Sequence, residues 1–281
     1  MKIYSLLVIL IAVWLALPGF AQETRLKPEE LIARHLEAFG NAEVRAAAKS
    51  RIVSGSVNLT SKLGGSGNMA GQTMMASVGT KFRFGTRFNS PTYPGDDMAF
   101  NGKRSMTGFL TEGNRSNLIL FLNSQEMILR EGLIGGVLST AWPLLRSDQV
   151  KAPLNYRGLK KIDGRQMHEL SYRPPKSSGD LRVTMYFDTE TFRHLRTQYE
   201  YVIGAGLGNG PNESARQTES RYQLIEMFDD FRVVDGLTLP HKYKLQLSIQ
   251  TRNTSLLSDW LFDFTRISHK QKIEDDVFEI K

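Results

Sequence analysis

The chain contains no cysteine. That excludes a disulfide staple, a thiolate nucleophile or metal site, and a lipidated cysteine of its own. Burial and sheet hydrogen bonding must therefore hold the fold. Histidine is scarce as well: His35, His168, His194, His241 and His269 are the only five. No two share a metal-ligand spacing, and neither HExxH nor HxH occurs. GGSGN (64–68) has Asn68 where a nucleophile elbow needs its last glycine. GAGLGNG misses the dinucleotide spacing and lacks a strand-to-helix context. There is no P-loop. The sequence thus offers no catalytic motif, no metal site and no cofactor site, and a non-enzymatic protein is expected.

The one long apolar run stands at the N-terminus, MKIYSLLVILIAVWLALPGFAQE. Lys2, the run Leu6 to Leu17 and the small-x-small Gly19-Phe20-Ala21 read as a signal peptide over 1–21, cut between Ala21 and Gln22. An uncleaved anchor is the alternative, against which the run is short for a membrane span. The expected mature chain, 22–281, is exported, soluble and not lipidated, and its length suits one large β domain. Formal net charge is +7, or +6 without Lys2. In an exported protein this excess points to anionic head groups or envelope polymers, or merely to a soluble basic surface, and not to nucleic acid.

Helical period is confined to two places. Pro28, Glu29 and Glu30 open a helix that Gly40 closes, with Leu31, Ile32, Leu36 and Phe39 as its apolar stripe. A short second helix, Ala42 to Lys49, is expected to follow. Ser116 to Leu145 is helical in period through Arg130, then carries no charge from Gly132 to Leu145 and is interrupted by Gly132, Gly135, Gly136 and Pro143. This insertion, 116–145, is too short and broken to span a bilayer. It is expected to lie over a sheet, either as static packing or as a lid hinged at its glycines.

Elsewhere the period is two. KFRFGTRF sets Phe82, Phe84 and Phe88 against Lys81, Arg83 and Arg87. DLRVTMYF sets Leu181, Val183, Met185 and Phe187 against Arg182, Thr184 and Tyr186, and after a DTET turn Leu195, Thr197, Tyr199 and Tyr201 oppose Arg196, Gln198 and Glu200. KYKLQLSIQ contributes Tyr243, Leu245, Leu247 and Ile249, and SDWLFDF contributes Trp260, Phe262 and Phe264. Such alternation marks strands with one buried and one wet face, hence an antiparallel sheet, here of about nine to eleven strands. Asn101-Gly102, Asp163-Gly164 and Asp235-Gly236 mark tight turns, and Gly204 to Ser214 reads as a mobile loop.

Other polar features get bland readings. Asp96-Asp97 sits in a turn-rich stretch, Asp229-Asp230 and Asp275-Asp276 point their side chains apart, and His194 and His241 read as exposed strand ends. Methionines such as Met74, Met98, Met106 and Met127 are expected as core fillers, although their flexibility also suits a ligand of variable shape. A long twisted sheet with one apolar face tends to curl around that face. Either side chains fill the hollow or an apolar cavity remains.

Three pieces of the chain carry a resemblance: the amphipathic helix EELIARHLEAFG, the hairpin LRVTMYFDTETFRHLR, and FDDFRVVDGLTLPHKYKL with its Asp-Gly turn. Together they resemble the LolA/LolB superfamily of periplasmic lipoprotein carriers, especially the outer membrane lipoprotein-sorting protein group. The resemblance implies a mainly β (α+β) fold, an incomplete antiparallel β-barrel with helices closing its concave apolar face, in the periplasm. It also implies a hydrophobic cavity for acyl chains. The chain is longer than the compact carriers, and no functional polar residue of theirs maps onto a position here.

The leading expectation is a monomeric carrier or binding protein for a lipid or lipidated polypeptide, such as lipoprotein acyl chains. Phe82, Phe84, Phe88, Val183, Met185, Phe187, Tyr199, Tyr201, Leu245, Leu247, Trp260, Phe262 and Phe264 would form its cavity wall. Leu118, Phe121, Leu122 and Leu133 would cover it. The alternative is a sensor or scaffold module that engages an envelope membrane partner through its basic convex face, without a transported ligand. An enzyme would need polar groups converging inside the barrel, for example His168 with Glu169 or Tyr172.

Overall fold

The computed structural model describes residues 26–62, 66–108, 116–146, 153–174, 181–204, 219–252 and 254–280. The expected signal peptide, 1–21, and nearly all of the glycine-rich 204–214 stretch lie outside the described residues.

Among the described residues, twelve strands form one antiparallel sheet. In chain order they are β1 (Ser50–Lys62), β2 (Ser66–Val78), β3 (Lys81–Phe88), β4 (Asp97–Phe100), β5 (Ser105–Gly108), β6 (Leu154–Ile162), β7 (Arg165–Tyr172), β8 (Arg182–Asp188), β9 (His194–Ile203), β10 (Ser220–Val234), β11 (Leu237–Gln250) and β12 (Ser255–His269). The order across the sheet is β5-β4-β3-β2-β1-β12-β11-β10-β9-β8-β7-β6, so the sheet is open, with β5 and β6 at its edges. The chain starts in the middle, meanders out to β5, crosses over, and meanders back from β6 to pair β12 with β1. Twelve strands exceed the expected nine to eleven because β4 and β5 have four residues each, too few for an alternation to register.

The turns follow local chemistry. Asp163-Gly164 and Asp235-Gly236 both hold positive φ at both positions (50° and 84°, 50° and 81°), the geometry of the two-residue hairpin turn that matches strand twist. In the hairpin between β8 and β9, the Asp188 carboxylate accepts from the Thr191 N–H at 2.8 Å and from the Thr191 hydroxyl at 2.7 Å. Arg165 of β7 donates to the same carboxylate from Nε at 3.0 Å. The carboxylate pKa is lowered: these hydrogen bonds and the Arg165 charge outweigh its desolvation.

Helix α1 (Pro28–Phe39) and helix α2 (Ala42–Ala47) precede the sheet. The buried stripe of α1 is Leu31, Ile32, His35 and Phe39; His35 takes the place expected for Leu36, which is only partly buried. The crossover from β5 to β6 contains α3 (Asn117–Ser124), α4 (Met127–Arg130) and two short 3₁₀ turns, Gly136–Leu138 and Pro143–Arg146. Ser116 caps α3 by accepting from the Ile119 N–H at 3.1 Å, as its hydroxyl is suited to do. Helix α4 ends in a paired stop: Leu133 N–H donates to Ile128 O at 2.9 Å and Gly132 N–H to Leu129 O at 3.0 Å, with Gly132 left-handed at φ 65°. A Cβ on Gly132 would lie 2.5 Å from the Ala141 carbonyl oxygen. Gly132→Ala is therefore expected to cost about 2 kcal/mol through backbone strain and that contact; an unchanged urea midpoint would contradict this account.

Candidate functional site

The hollow of the sheet is where the sequence places a ligand, and the crossover occupies it. Of the expected wall, Phe82, Phe84, Phe88, Val183, Met185, Phe187, Tyr199, Leu245, Leu247, Trp260, Phe262 and Phe264 are all buried in a single apolar core. Tyr201 is the exception: it is half-buried at the rim, beside Tyr222 at 6.3 Å between ring centroids. The expected cover residues Leu118, Phe121, Leu122 and Leu133 are buried in the same core. Aromatic rings run across the inner face: Phe84 to Phe262 at 5.3 Å, Phe262 to Tyr243 at 5.1 Å and Tyr243 to Phe228 at 5.2 Å.

Every residue from Gly132 to Leu144 is buried. This charge-free stretch packs as an inner layer on the sheet and joins no strand ladder. Its polar ties to the sheet are few. Glu226 of β10, fully buried, accepts from the Gly135 N–H at 2.7 Å. The Tyr199 hydroxyl lies 3.0 Å from Leu133 O. Arg51 of β1 donates to Val137 O, and Thr140 N–H donates to Ser77 Oγ at 2.9 Å. Both arms of the sheet therefore hold the layer, Ser77 from the β1–β5 side and Tyr199 and Glu226 from the β6–β12 side.

Glu226 is the most unusual of these groups. Its Oε1 accepts from Gly135 N–H and from the Tyr243 hydroxyl at 2.7 Å, and its Oε2 pairs with the Tyr199 hydroxyl at 2.6 Å. Burial pushes its pKa up from 4.5 to about 7, against the lowering by its donors, of which Tyr199 is the strongest. Near it lies a ring cluster in which Trp142 of the crossover stacks on His194 of β9 at 4.7 Å and meets His35 of α1 edge-on at 5.4 Å. His194 is thus buried, as is His241, which corrects the expectation of exposed strand ends: His194 opens β9 beneath the Trp142 ring, and His241 lies within β11 and not at its start. Burial lowers the His35 pKa to about 4 and that of His194 in the same direction.

In three dimensions the chain is similar to a LolA superfamily protein. That protein, from Nitrosomonas europaea, shares 10% identity over 90% of this chain and 97% of its own, with a TM-score of 0.48. A putative outer membrane lipoprotein-sorting protein domain from Vibrio parahaemolyticus shares 13% identity over 88% and 97%, with a TM-score of 0.42. A DUF1329 family protein from Desulfovibrio piger gives 10%, 90% and 97%, also with a TM-score of 0.42. No protein-family model matches the sequence, and no curated protein matches it.

His168, Glu169 and Tyr172, the polar groups named for an enzyme, take separate partners. The His168 Nδ1 pairs with the Tyr156 hydroxyl at 2.9 Å, and Tyr172 turns its hydroxyl toward Glu131 at 3.4 Å. Glu169 alternates to the outer face, where it lines a groove of about 1010 Å³ with Arg157, Lys160, Arg182 and Glu200. Among the described residues no cluster of histidines and carboxylates is placed to hold a metal ion. No helix among them is long and apolar enough to cross a membrane. Asp96 and Asp97 also depart from the turn expected of them. Both are buried: Asp96 accepts from the Tyr93 hydroxyl, and Asp97 takes Arg83 in a two-pronged pair at 3.0 and 2.6 Å.

Sequence reasoning missed Glu226, Arg51 and His35, although each leaves a signal. Glu226 stands between Leu224 and Phe228, and Arg51 two before Val53, on the apolar parity of their strands. His35 stands four after Leu31 on the buried helix stripe. A polar residue in phase with an apolar face is the mark to look for.

Proposed function

We propose that this protein is a periplasmic, monomeric binding or carrier protein for a lipid or lipidated polypeptide. In this reading it acts without catalysis, and its own crossover fills the apolar hollow when no ligand is present. One observation carries the reading: the charge-free 132–144 layer rests on the inner face through side chains and isolated hydrogen bonds, with no strand pairing. An acyl chain could displace it while the sheet ladders stay intact. A chain of about sixteen carbons contributes on the order of 10 kcal/mol of apolar burial before ordering costs, enough to offset the loss of such ties. Protein purified from its native envelope is expected to release lipid on extraction, detected by mass spectrometry, and to take up a fluorescent fatty acid. Uptake should speed amide hydrogen exchange across 132–140. Protein that carries no lipid and takes up none would sink the reading.

A filled interior and the polar outer groove of about 1010 Å³ favour a second reading, a sensor or scaffold that engages an envelope partner. It requires salt-sensitive capture of a membrane protein by lipid-free material, lost when Arg157 and Arg182 are changed to glutamate.

A further inference from the structure

At one end of the hollow, α1, α2 and the start of β1 meet the second 3₁₀ turn of the crossover around a cavity of about 380 Å³. Four cations line it: Arg45, Lys49, Arg51 and Arg146. No aspartate or glutamate among the described residues does.

Arg51 is the decisive member. Its side chain is 1% exposed, and no carboxylate among the described residues pairs with it. Its partners are neutral acceptors, the Val137 carbonyl and His269 Nδ1 at 3.3 Å, together with the Phe39 ring beneath its guanidinium at 5.5 Å. Burial alone lowers its pKa, to about 9. A buried cation without a counter-charge is costly to keep, so it marks a place where an anion would be gained favourably. Arg146 adds a donor that nothing fills. Its Nη2 donates to Ala141 O at 2.8 Å, while its Nε is buried with no partner. Glu131 acts on Arg146 only through the longer-range field. Arg45 donates to Leu36 O at 2.8 Å and Gly40 O at 2.5 Å, which anchors it at the wall.

We infer that this cavity is a binding site for a phosphate group. Guanidiniums, one of them with an open donor, and a lysine as point charge are the donor set such an oxyanion takes. Phe39 and Leu145 supply an apolar margin on one side, where a substituent on the phosphate would rest. A lipid head group and free phosphate both present this chemistry, and the site follows from the cation geometry in either case, independently of whether the hollow carries an acyl chain.

The test is a thermal-shift and calorimetric titration of the full chain. One arm uses inorganic phosphate, a second a water-soluble phosphatidic acid with six-carbon chains, and a third sodium chloride at matched ionic strength. Phosphate or phosphatidic acid at about ten times Kd should raise Tm by about 3 °C beyond the chloride control. Preference for phosphatidic acid by about tenfold or more assigns a lipid source, and equal affinity assigns free phosphate. Lys49→Glu, at an exposed position, and Arg51→Met should each weaken binding at least about tenfold. The inference is overturned if neither phosphate species exceeds chloride, or if Lys49→Glu, folded to the same Tm, binds as well as the wild type. Lipid extraction and fatty-acid uptake report on the hollow separately, so either idea can fail while the other stands.

Discussion

Trp142→Ala is expected to lower the free energy of unfolding by about 3–5 kcal/mol, read from urea midpoints at unchanged m. The indole is fully buried and stacks on His194. His35, Phe187 and Phe228 complete the cluster, with His194 5.3 Å from Phe187 and 4.7 Å from Phe228. Those rings come from α1, β8, β9 and β10, so the side chain ties the crossover to three strands and a helix. The loss has one offset: the indole Nε1 is buried without a partner, and removing it relieves about 1 kcal/mol. Trp142→Phe, which discards that N–H and keeps a ring, should cost less than about 1.5 kcal/mol. The alanine variant leaves an apolar void, and added indole should restore part of the lost stability, rising with the logarithm of its concentration once the void is mostly filled. A loss below about 1 kcal/mol for the alanine variant would mean that the rings do not hold the inner layer in place.

Glu226→Gln is expected to have its effect only above acidic pH. The carboxyl pKa is 4.5 in the unfolded chain and about 7 in the fold. The native state therefore holds a proton that the unfolded state has released between those values. The protonated form's stabilisation is complete below about 4.5 and is lost as pH rises through about 7, on the order of 3 kcal/mol in all. The geometry accommodates the neutral acid. A proton on Oε2 can be donated to the Tyr199 oxygen, whose own proton then turns to Leu133 O, 3.0 Å away. Glutamine reproduces that arrangement with an amide N–H at the Oε2 position. The variant should match the wild type near pH 4 and exceed it by on the order of 3 kcal/mol near pH 8. Buried His35 acts in the opposite sense: stability present above 6.5 is lost as pH falls toward about 4. The difference between variant and wild type cancels that contribution. A difference that stays flat from pH 4 to 8 would show that folding does not raise the Glu226 pKa.

Which strand faces turn to the core was legible in the sequence, and what packs against them was not. Period-two alternation in KFRFGTRF and SDWLFDF put Phe82, Phe84, Trp260, Phe262 and Phe264 on one face, and the structure buries all five. The hairpin Arg182–Ile203 was equally plain, because the Asp188 turn chemistry acts within three residues. What a face touches is set by tertiary geometry, and alternation carries nothing of it. A buried Leu133 reads the same over a ligand as over Tyr199. Glu226 and Arg51 escaped notice because each looks locally like an ordinary polar strand residue. Only the depth of the curled sheet, and the crossover lying on it, makes them buried charges. Tyr201, two positions beyond Tyr199, packs against the same core but is only partly buried.

The pairing of β1 with β12 at the centre of the sheet also governs how the chain is assembled. Each arm is a run of hairpins between sequence neighbours, and such contacts close quickly. The central seam joins Arg51 to His269 and Lys62 to Leu257, positions about two hundred residues apart, and closing such a span adds entropy cost slowly but at the end of the process. Until Ser255–His269 has been delivered, the innermost strand of the first arm keeps one naked side, its N–H and C=O groups free to pair with another chain. A chain that begins its sheet in the middle must stay protected until its last strand arrives.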